Sequence, residues 1–187
     1  MIENLFVGLV HFPVYNRNHK IVATSITNID LHDISRSCKT FGVKKFFIIN
    51  PQKSQKEIFM RLKKFWQTDF AKEYNINRFD AFEIMEFYHD IKSVKFWIKN
   101  NYKKNPIIIS TSARKCEDNV NFSEVKNRIQ ESIPKLILFG TGYGLSDELI
   151  KNCDINLSPI IGEKNYNHLS VRSAIAIILD RLISNYK

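Results

Sequence analysis

Five consecutive residues, Gly140-Thr141-Gly142-Tyr143-Gly144, are the clearest candidate for a ligand-binding loop. They follow an apolar run, Leu136 to Phe139, that has the length of a buried strand. A glycine-rich turn after a strand lets a ligand approach the backbone closely, and its N–H groups can bind the ligand's polar edges. The spacing GxGxG differs from the dinucleotide fingerprint GxGxxG, and the Lys-Ser/Thr pair of a mononucleotide P-loop is missing. An ordinary turn between a strand and a helix therefore stays an alternative for this loop taken alone.

A second loop, Ser158 to Gly162, lies close to the first along the chain. Between them, Ser146 can cap a short helix over 147–152, and a short strand fits 155–157. A polar turn then leads into a helix from about Ser170 to Ser184. The middle of that helix, Ala174 to Leu179, is apolar on every side, which predicts a helix buried all round.

Titratable residues at helical spacing form a second candidate site: Asp30, His32, Asp33 and Arg36. Asn28 or Asp30 can cap this helix, which ends near Gly42. From the residues alone, a solvated first turn favoured by the helix dipole explains the cluster better than a site does.

Basic residues follow the polar side of an amphipathic helix predicted over 51–74. This side carries Lys53, Lys56, Arg61, Lys63 and Lys64. Two interpretations stay open: a solvated face, or a face that contacts the phosphates of a nucleic acid. Arg114 follows a strand predicted over 106–110, at the edge where ligands of open α/β sheets gather, and it either contacts a ligand or is merely exposed.

The order of elements predicts an α/β protein with a mainly parallel sheet and helices on both faces. Strands are predicted over 5–10, 21–26, 45–50, 106–110, 136–139 and 155–157, and segment 78–89 suits a helix or a strand. Further helices are predicted over 91–101 and 123–132. Five or six strands thus alternate with helices. No linker or internal repeat divides the chain, so residues 1–187 are expected to form a single domain.

Composition narrows the class of protein. Of the 187 residues, 44% are hydrophobic and 25% charged, which excludes disordered and collagen-like chains. The formal net charge of +9 favours a polyanionic partner.

No apolar stretch reaches the ~18 residues of a membrane span, and the start of the chain lacks a signal peptide, so we expect a cytoplasmic protein that does not enter a membrane. Cys38, Cys116 and Cys153 are widely spaced, which excludes a zinc site built on cysteine, and we expect no metal.

Three stretches of the C-terminal segment, FGTGYGLS, SPIIG and YNHLSVRSAIAIILDR, resemble in order and spacing the second and third motifs of the SPOUT superfamily of S-adenosylmethionine-dependent RNA methyltransferases. DLHDISRSCKTFGV resembles the first motif, and Arg36, Phe41, Gly42 and Val43 match it. The resemblance implies a deep C-terminal trefoil knot that binds S-adenosyl-L-methionine. It also implies a stand-alone homodimer that acts on RNA, either tRNA or rRNA.

The resemblance implies roles for individual residues. The cofactor would be bound by the three loops of the knot, at Phe139, Gly140, Thr141, Gly142, Ile160, Ile161, Gly162, His168, Leu169 and Ser170. Substrate-side chemistry would fall to Arg36, Asp30 and Arg172, with an inter-subunit salt bridge as the alternative role of Arg172. Arg114, Lys53 and Lys56 would contact RNA.

The first motif also departs from the family. Asp30 stands where ribose-methylating members have Asn, and His32 where they have Gly. The choice between a ribose hydroxyl and a base atom as methyl acceptor therefore stays open. Two other classes of function remain: an RNA-binding protein of the same fold without turnover, and a small-molecule nucleotide-binding enzyme.

Overall fold

Among the described residues, nine strands arise, most of them where the sequence has short apolar runs bounded by turns. In chain order they are β1 (Leu5–Val10), β2 (Val14–Tyr15), β3 (Ile21–Val22), β4 (Lys45–Ile49), β5 (Met85–Tyr88), β6 (Ile107–Ser110), β7 (Asn119–Val120), β8 (Lys135–Gly140) and β9 (Ile155–Leu157). The structure is a computed structural model that describes residues 4–116, 118–130, 132–164 and 166–184. Seven strands form one sheet in the order β5-β4-β1-β8-β6-β9-β7, and β2 and β3 form a separate antiparallel hairpin.

Every pairing in the seven-stranded sheet is parallel. The central strand β1 is buried at all six positions, and β8 at all but its last. Continuous apolar runs of this kind are typical of strands that are covered on both faces. The predicted α/β class is therefore confirmed.

In the described part of the chain, eight helices cover the sheet. They are α1 (Asn28–Thr40), α2 (Lys53–Trp66), α3 (Asp69–Tyr74), α4 (Ile76–Glu83), α5 (Ile91–Tyr102), α6 (Phe122–Ile129), α7 (Asp147–Lys151) and α8 (Val171–Ile183). Six of them, α1 to α4, α6 and α8, pack on one face of the sheet, where one hydrophobic cluster lies. Helices α5 and α7 pack on the other face, over a second cluster. Among the described residues, no helix is long and apolar enough to cross a membrane.

Several boundaries differ from the sequence prediction. The strand expected over 21–26 is wrong beyond Val22, because Ile21 and Val22 pair with β2 in the hairpin and not with the main sheet. The single helix expected over 51–74 is two helices, because the Thr68 side chain accepts a hydrogen bond from the Ala71 N–H and starts α3. The ambiguous segment 78–89 holds the end of α4 and then β5. The short strand β7 was not predicted, and it makes the count of strands larger than expected.

The prediction that α8 is buried all round is wrong for the single chain. Ile175, Ile178 and Leu179 are buried, whereas Ala176 and Ile177 are only partly buried. The reason is that α8 packs against α1, α6 and β8 from one side only. A partly exposed apolar side is therefore left on the outside of this helix.

The first turn of α1 is capped by Thr27, and neither Asn28 nor Asp30 has the expected role. The Thr27 hydroxyl accepts a hydrogen bond from the Asp30 N–H at 3.2 Å and donates one to Asp30 Oδ2 at 2.6 Å. The same side chain thus starts the helix and orients a carboxylate.

We expect Thr27→Ala to lower the free energy of unfolding by about 1 kcal/mol, because a capped N–H loses its partner. Thr27→Ser, which keeps the hydroxyl, should restore most of the loss. Asn28→Ala is the matched control and should change stability little. Urea denaturation of the three variants measures these differences, and an Asn28→Ala effect larger than that of Thr27→Ala would contradict the assignment of the cap.

Candidate functional site

The glycine-rich loop after β8 is held in one conformation by the N-terminal part of the chain. The Thr141 N–H donates to the Val10 carbonyl at 3.2 Å, and the Tyr143 N–H donates to the Tyr15 carbonyl at 2.9 Å. Gly142 has a φ of +58°, and a Cβ there would lie 2.9 Å from the Tyr15 carbonyl oxygen. Glycine is required at this position both for its left-handed backbone and for the close approach of the hairpin. The loop is therefore built before any ligand arrives.

A chain of side-chain hydrogen bonds runs behind this loop. The Thr141 hydroxyl donates to the Val10 carbonyl at 3.0 Å and lies 2.5 Å from the Thr24 hydroxyl, which lies 2.9 Å from His11 Nδ1. A carbonyl only accepts, and each hydroxyl has one hydrogen, so Thr24 must donate to Thr141 and His11 must donate to Thr24. This order fixes the tautomer of His11, with its proton on Nδ1.

His11 Nε2 is consequently an unprotonated acceptor in the neutral ring. It is buried and has no hydrogen-bond partner among the residues that the structure describes. Burial lowers the pKa of His11 to about 4, and the nearby carboxylate of Asp30 opposes the shift only in part. His11 is therefore neutral at physiological pH.

Arg114 joins the loop after β6 to the glycine-rich loop. Its guanidinium donates to the Leu145 carbonyl at 3.2 Å, pairs with Asp147 at 2.9 Å and lies over the Tyr15 ring at 5.7 Å from the ring centroid. On the other side of the same loop, the Asn167 side chain donates to the Ala113 carbonyl at 3.1 Å. The segment 111–116 thus lies between the glycine-rich loop and the turn before α8. Three loops meet at the carboxyl edge of the sheet.

The other two expected cofactor-binding segments keep their backbone donors unused. Of the backbone hydrogen bonds between described residues, none is donated by the N–H groups of 160–162 or 168–170. Ile161 is 71% exposed and Leu169 is 46% exposed, and His168 is exposed as well. Ser170 caps α8, where it accepts from the Ser173 N–H. Unpaired amides beside exposed aliphatic side chains fit a ligand that has a flat apolar ring with polar edges, such as adenine.

A partly buried ion pair joins the starts of α1 and α8. Arg172 donates to Asp30 at 2.7 Å and lies 3.4 Å from Asp33. Both carboxylate oxygens of Asp30 are occupied, one by Arg172 and the other by Thr27. Both carboxylates belong to the same chain as Arg172. Arg172 therefore has ion-pair partners without the inter-subunit salt bridge that was its alternative role.

Arg36 lies on the next turn of α1 after Asp33, along a similar side of the helix. Its side chain is exposed and makes no hydrogen bond or ion pair with any described residue. A cation without a partner is available to a substrate. Lys53 and Lys56 are exposed on α2, on the same face of the sheet as α1.

Of the residues that the sequence singled out, the structure brings Asp30 into contact with Arg172 and places Arg114 against the end of the glycine-rich loop. Phe139 is buried in β8, so only its backbone can face a ligand. From the sequence, His11 and Tyr15 beside the end of a strand could face a substrate, and a partly buried structural role is the favoured interpretation. Thr24 also belongs to the site but carried no sequence signal, because a threonine in an irregular segment is common. Asn50, a buried polar residue directly after the apolar β4, was a usable signal: its side chain donates to the Thr24 carbonyl at 2.9 Å.

Solved structures with a similar fold include two RNA-modifying enzymes. The Aquifex aeolicus TrmH/SpoU tRNA modifying enzyme superposes with a TM-score of 0.57 at 16% identity, covering 96% of this chain and 72% of that chain. The AdoMet-bound rRNA methyltransferase from Sinorhizobium meliloti gives a TM-score of 0.58 at 14% identity, covering 97% and 56%. The architecture is therefore that of the SPOUT methyltransferases.

Sequence comparison identifies the family. A family profile described as SAM-dependent RNA methyltransferase matches residues 4–184. An uncharacterized protein of Aquifex aeolicus is 35% identical over 183 residues, which cover 97% of this chain and 89% of that protein. The chain belongs to this family of SAM-dependent RNA methyltransferases, and its methyl donor is S-adenosylmethionine.

Longer relatives also match. The tRNA (guanine-N(1)-)-methyltransferase of Oleidesulfovibrio alaskensis is 37% identical over 183 residues, which cover 98% of this chain but 43% of the relative. The corresponding protein of Nitratidesulfovibrio vulgaris is 36% identical with the same coverage. The chain thus spans less than half the length of these named relatives.

We expect acid to destabilise the protein through His11. Because the folded pKa is lowered, the folded state binds fewer protons than the unfolded state, and stability is lost as the pH falls from 6.5 through about 4. The loss attributable to this side chain is about 3 kcal/mol in the free energy of unfolding. His11→Asn keeps a donor toward Thr24 but does not titrate.

Urea denaturation at a series of pH values between 7 and 4 compares the wild type with His11→Asn. The wild type should lose more stability than the variant across this range. Since the pKa of His32 is also lowered, mainly by burial, only the difference between the two proteins reports on His11. Equal losses would show that His11 does not stay neutral in the folded protein.

Proposed function

We propose that this protein transfers the methyl group of S-adenosylmethionine to a nucleotide of tRNA or rRNA, at the edge where the three loops meet. The observation that carries the proposal is that the amides of 160–162 and 168–170 donate no backbone hydrogen bond to a described residue, while the loop after β9 lies at the same edge of the sheet as the prebuilt glycine-rich loop. Among the described residues, no group of three or more His, Cys, Asp and Glu side chains could hold a metal ion.

Each of the three expected cofactor-binding segments, 139–142, 160–162 and 168–170, has its own task in this proposal. Backbone groups from Phe139 to Gly142 line the methionine and ribose side of the cofactor. The amides of Ile160, Ile161 and Gly162 bind the edge of adenine, and residues His168 to Ser170 close over it. When bound, the cofactor supplies an electrophilic methyl group, so the protein must mainly hold donor and acceptor in line.

Arg36 is the proposed substrate-contacting cation, because it is exposed and has no partner among the described residues. Asp30 has both oxygens occupied, so we assign it the orientation of Arg172. Arg172, held at the start of α8 by two carboxylates, would keep the turn before that helix in place. Asp30 and Arg172 are thus positioning residues in this proposal.

The atom that receives the methyl group can be assigned by experiment. Two relatives are named as guanine-N(1) methyltransferases of tRNA, but more than half of each lies outside the part that this chain matches. Their named activity can therefore reside in the part that this chain matches or in the remaining part of those longer proteins. Digestion of the methylated RNA to nucleosides, followed by mass spectrometry, separates a base-methylated guanosine from a 2′-O-methyl nucleoside.

We expect Arg36→Ala to lower the rate of methyl transfer about a hundredfold, since one charged contact to the reacting nucleotide is lost. Radiolabelled methyl transfer to unmodified tRNA and rRNA transcripts measures the rate, and calorimetry measures the affinity for S-adenosylmethionine. The affinity should stay unchanged. Lys39→Ala, which removes an exposed cation one turn further along α1, is the matched control and should stay active.

Two outcomes would count against the proposal. If the wild type does not bind S-adenosylmethionine, the loops are not the cofactor site. If Arg36→Ala and Lys39→Ala have the same rate, Arg36 does not contact the substrate. Replacing Gly142 would be a poor test, because a side chain there disturbs the loop itself.

The partly exposed apolar side of α8 supports a homodimer, which we propose as the active form. A helix that leaves aliphatic side chains at its outer surface commonly meets a second copy. We further propose that the C-terminal segment closes the trefoil knot of the SPOUT family, in keeping with the packing of α8 against α1. The cytoplasm is the proposed location, because tRNA and rRNA are found there.

We expect Ile177→Glu to shift the protein from dimer to monomer, because a buried carboxylate at an apolar interface is costly. Sedimentation velocity measures the oligomeric state. The control is Phe96→Glu, which places the same charge at a 67% exposed aromatic position of α5, on the other face of the sheet. A wild type that sediments as a monomer, or an Ile177→Glu variant that remains a dimer, would contradict this interface.

A further inference from the structure

A basic groove of about 870 Å³ runs between α2 and the edge strand β5. It is lined by four cationic side chains and a single carboxylate: Lys56, Arg61, Lys63, Lys64 and Glu86. The carboxylate is already paired, since Glu86 lies 2.8 Å from Lys45 on the neighbouring strand. The lining thus has a net charge of +3, a third of the +9 of the whole chain.

The free edge of β5 borders the groove. The Phe46 and Asn50 N–H groups donate to the carbonyls of Ile84 and Tyr88, so alternate carbonyls of β5 face β4 and those between them face outward. One outward carbonyl, that of Met85, accepts a hydrogen bond from Lys63 Nζ at 2.5 Å. Lys63 is therefore engaged with the edge, whereas Lys56 and Lys64 are exposed.

Apolar surface lies between the charges. Met60 is 51% exposed, and Phe87 and Tyr88 are partly exposed. A cluster of lysines alone would bind any anion. Here the cations line the same groove as the thioether of Met60 and the rings of Phe87 and Tyr88. This combination suits a ligand that has both phosphates and flat apolar groups. Single-stranded nucleic acid has both.

One end of the groove lies at the same level of the sheet as the start of the glycine-rich loop. Tyr88 pairs with Ile49, Ile49 with Val10, and Val10 with Gly140, so these four residues form one row across the sheet. Three strand intervals separate Tyr88 from Gly140, which corresponds to about 14 Å. A few consecutive nucleotides of a single strand span this distance. One RNA molecule can therefore reach both places.

We propose that this groove binds a single-stranded segment of the RNA substrate next to the methylated nucleotide. Lys56 and Lys64 contact the phosphates, and Met60 and Phe87 contact a base. The proposal rests on the proposed function and adds the surface that holds the RNA. Because phosphate contacts carry no sequence information, the groove supplies affinity and orientation, while the choice of nucleotide lies at the loops.

The test removes two charges without reversing them. Lys56→Gln/Lys64→Gln is compared with Lys95→Gln/Lys99→Gln, which removes two exposed charges from α5 on the opposite face of the sheet. Fluorescence anisotropy with a labelled single-stranded RNA of mixed sequence, at a series of KCl concentrations, gives affinity and salt dependence. Calorimetry with S-adenosylmethionine and thermal denaturation confirm that each variant is folded.

The groove variant should bind RNA roughly tenfold more weakly, with a slope of log K against log salt that is smaller by about 1.4. The α5 variant should bind like the wild type. Equal affinities of the wild type and the groove variant would overturn the proposal, and so would equal weakening by both variants. If the groove variant instead changed only the oligomeric state, the groove would be a protein interface.

Failure of this inference is distinct from failure of the proposed function. A wild type that methylates RNA while the groove variant keeps full RNA affinity contradicts the groove alone. A wild type that binds RNA through the groove but transfers no methyl group to any RNA contradicts the function alone.

Discussion

The parallel pairing of β1 with β8 is the contact on which the site depends. It places Val10 beside Gly140, although 130 residues separate them along the chain. The Val10 carbonyl then accepts both the amide and the hydroxyl of Thr141. Without this register the glycine-rich loop would have no fixed position. The chain of hydrogen bonds from His11 through Thr24 to Thr141 would then lack its final acceptor, the Val10 carbonyl. Because closing so long a loop is entropically costly, the site forms only when the sheet is complete.

Electrostatics divide the surface of the protein into two functional regions. Near the starts of α1 and α7, the charges are used inside the chain, since Arg172 pairs with Asp30 and Asp33, and Arg114 pairs with Asp147. Along α2, the cations outnumber the carboxylates and point into the groove beside β5. Internal ion pairs fix the positions of loops, whereas unpaired cations attract a polyanion. Both uses are needed by an enzyme that must hold a small cofactor and a large RNA together.

Apolar runs predicted β1, β4, β6, β8 and β9 well, because strands buried on both faces leave a strong local signal. The predicted ligand loops also lie where the sequence placed them, since glycines mark the turn. The hairpin of Val14 to Val22 and the strand β7 escaped prediction because two-residue strands have no periodicity. Thr24 escaped because its importance comes from tertiary contacts. A single sequence does not encode such contacts in its spacing.

The departures from the ribose-methylating pattern acquire a physical meaning in the structure. Asp30, which replaces an asparagine of that pattern, is committed to Thr27 and Arg172 through both of its oxygens. These two bonds hold the carboxylate in one orientation, toward the starts of α1 and α8. His32 packs against the rings of Trp66 and Phe82 with centroid distances of 5.0 and 4.7 Å, and burial lowers its pKa. Arg36 of the same motif is exposed and makes no hydrogen bond or ion pair with a described residue. An arginine stabilises negative charge but does not remove a proton at neutral pH, so in the proposed site Arg36 would orient the substrate or stabilise charge in it.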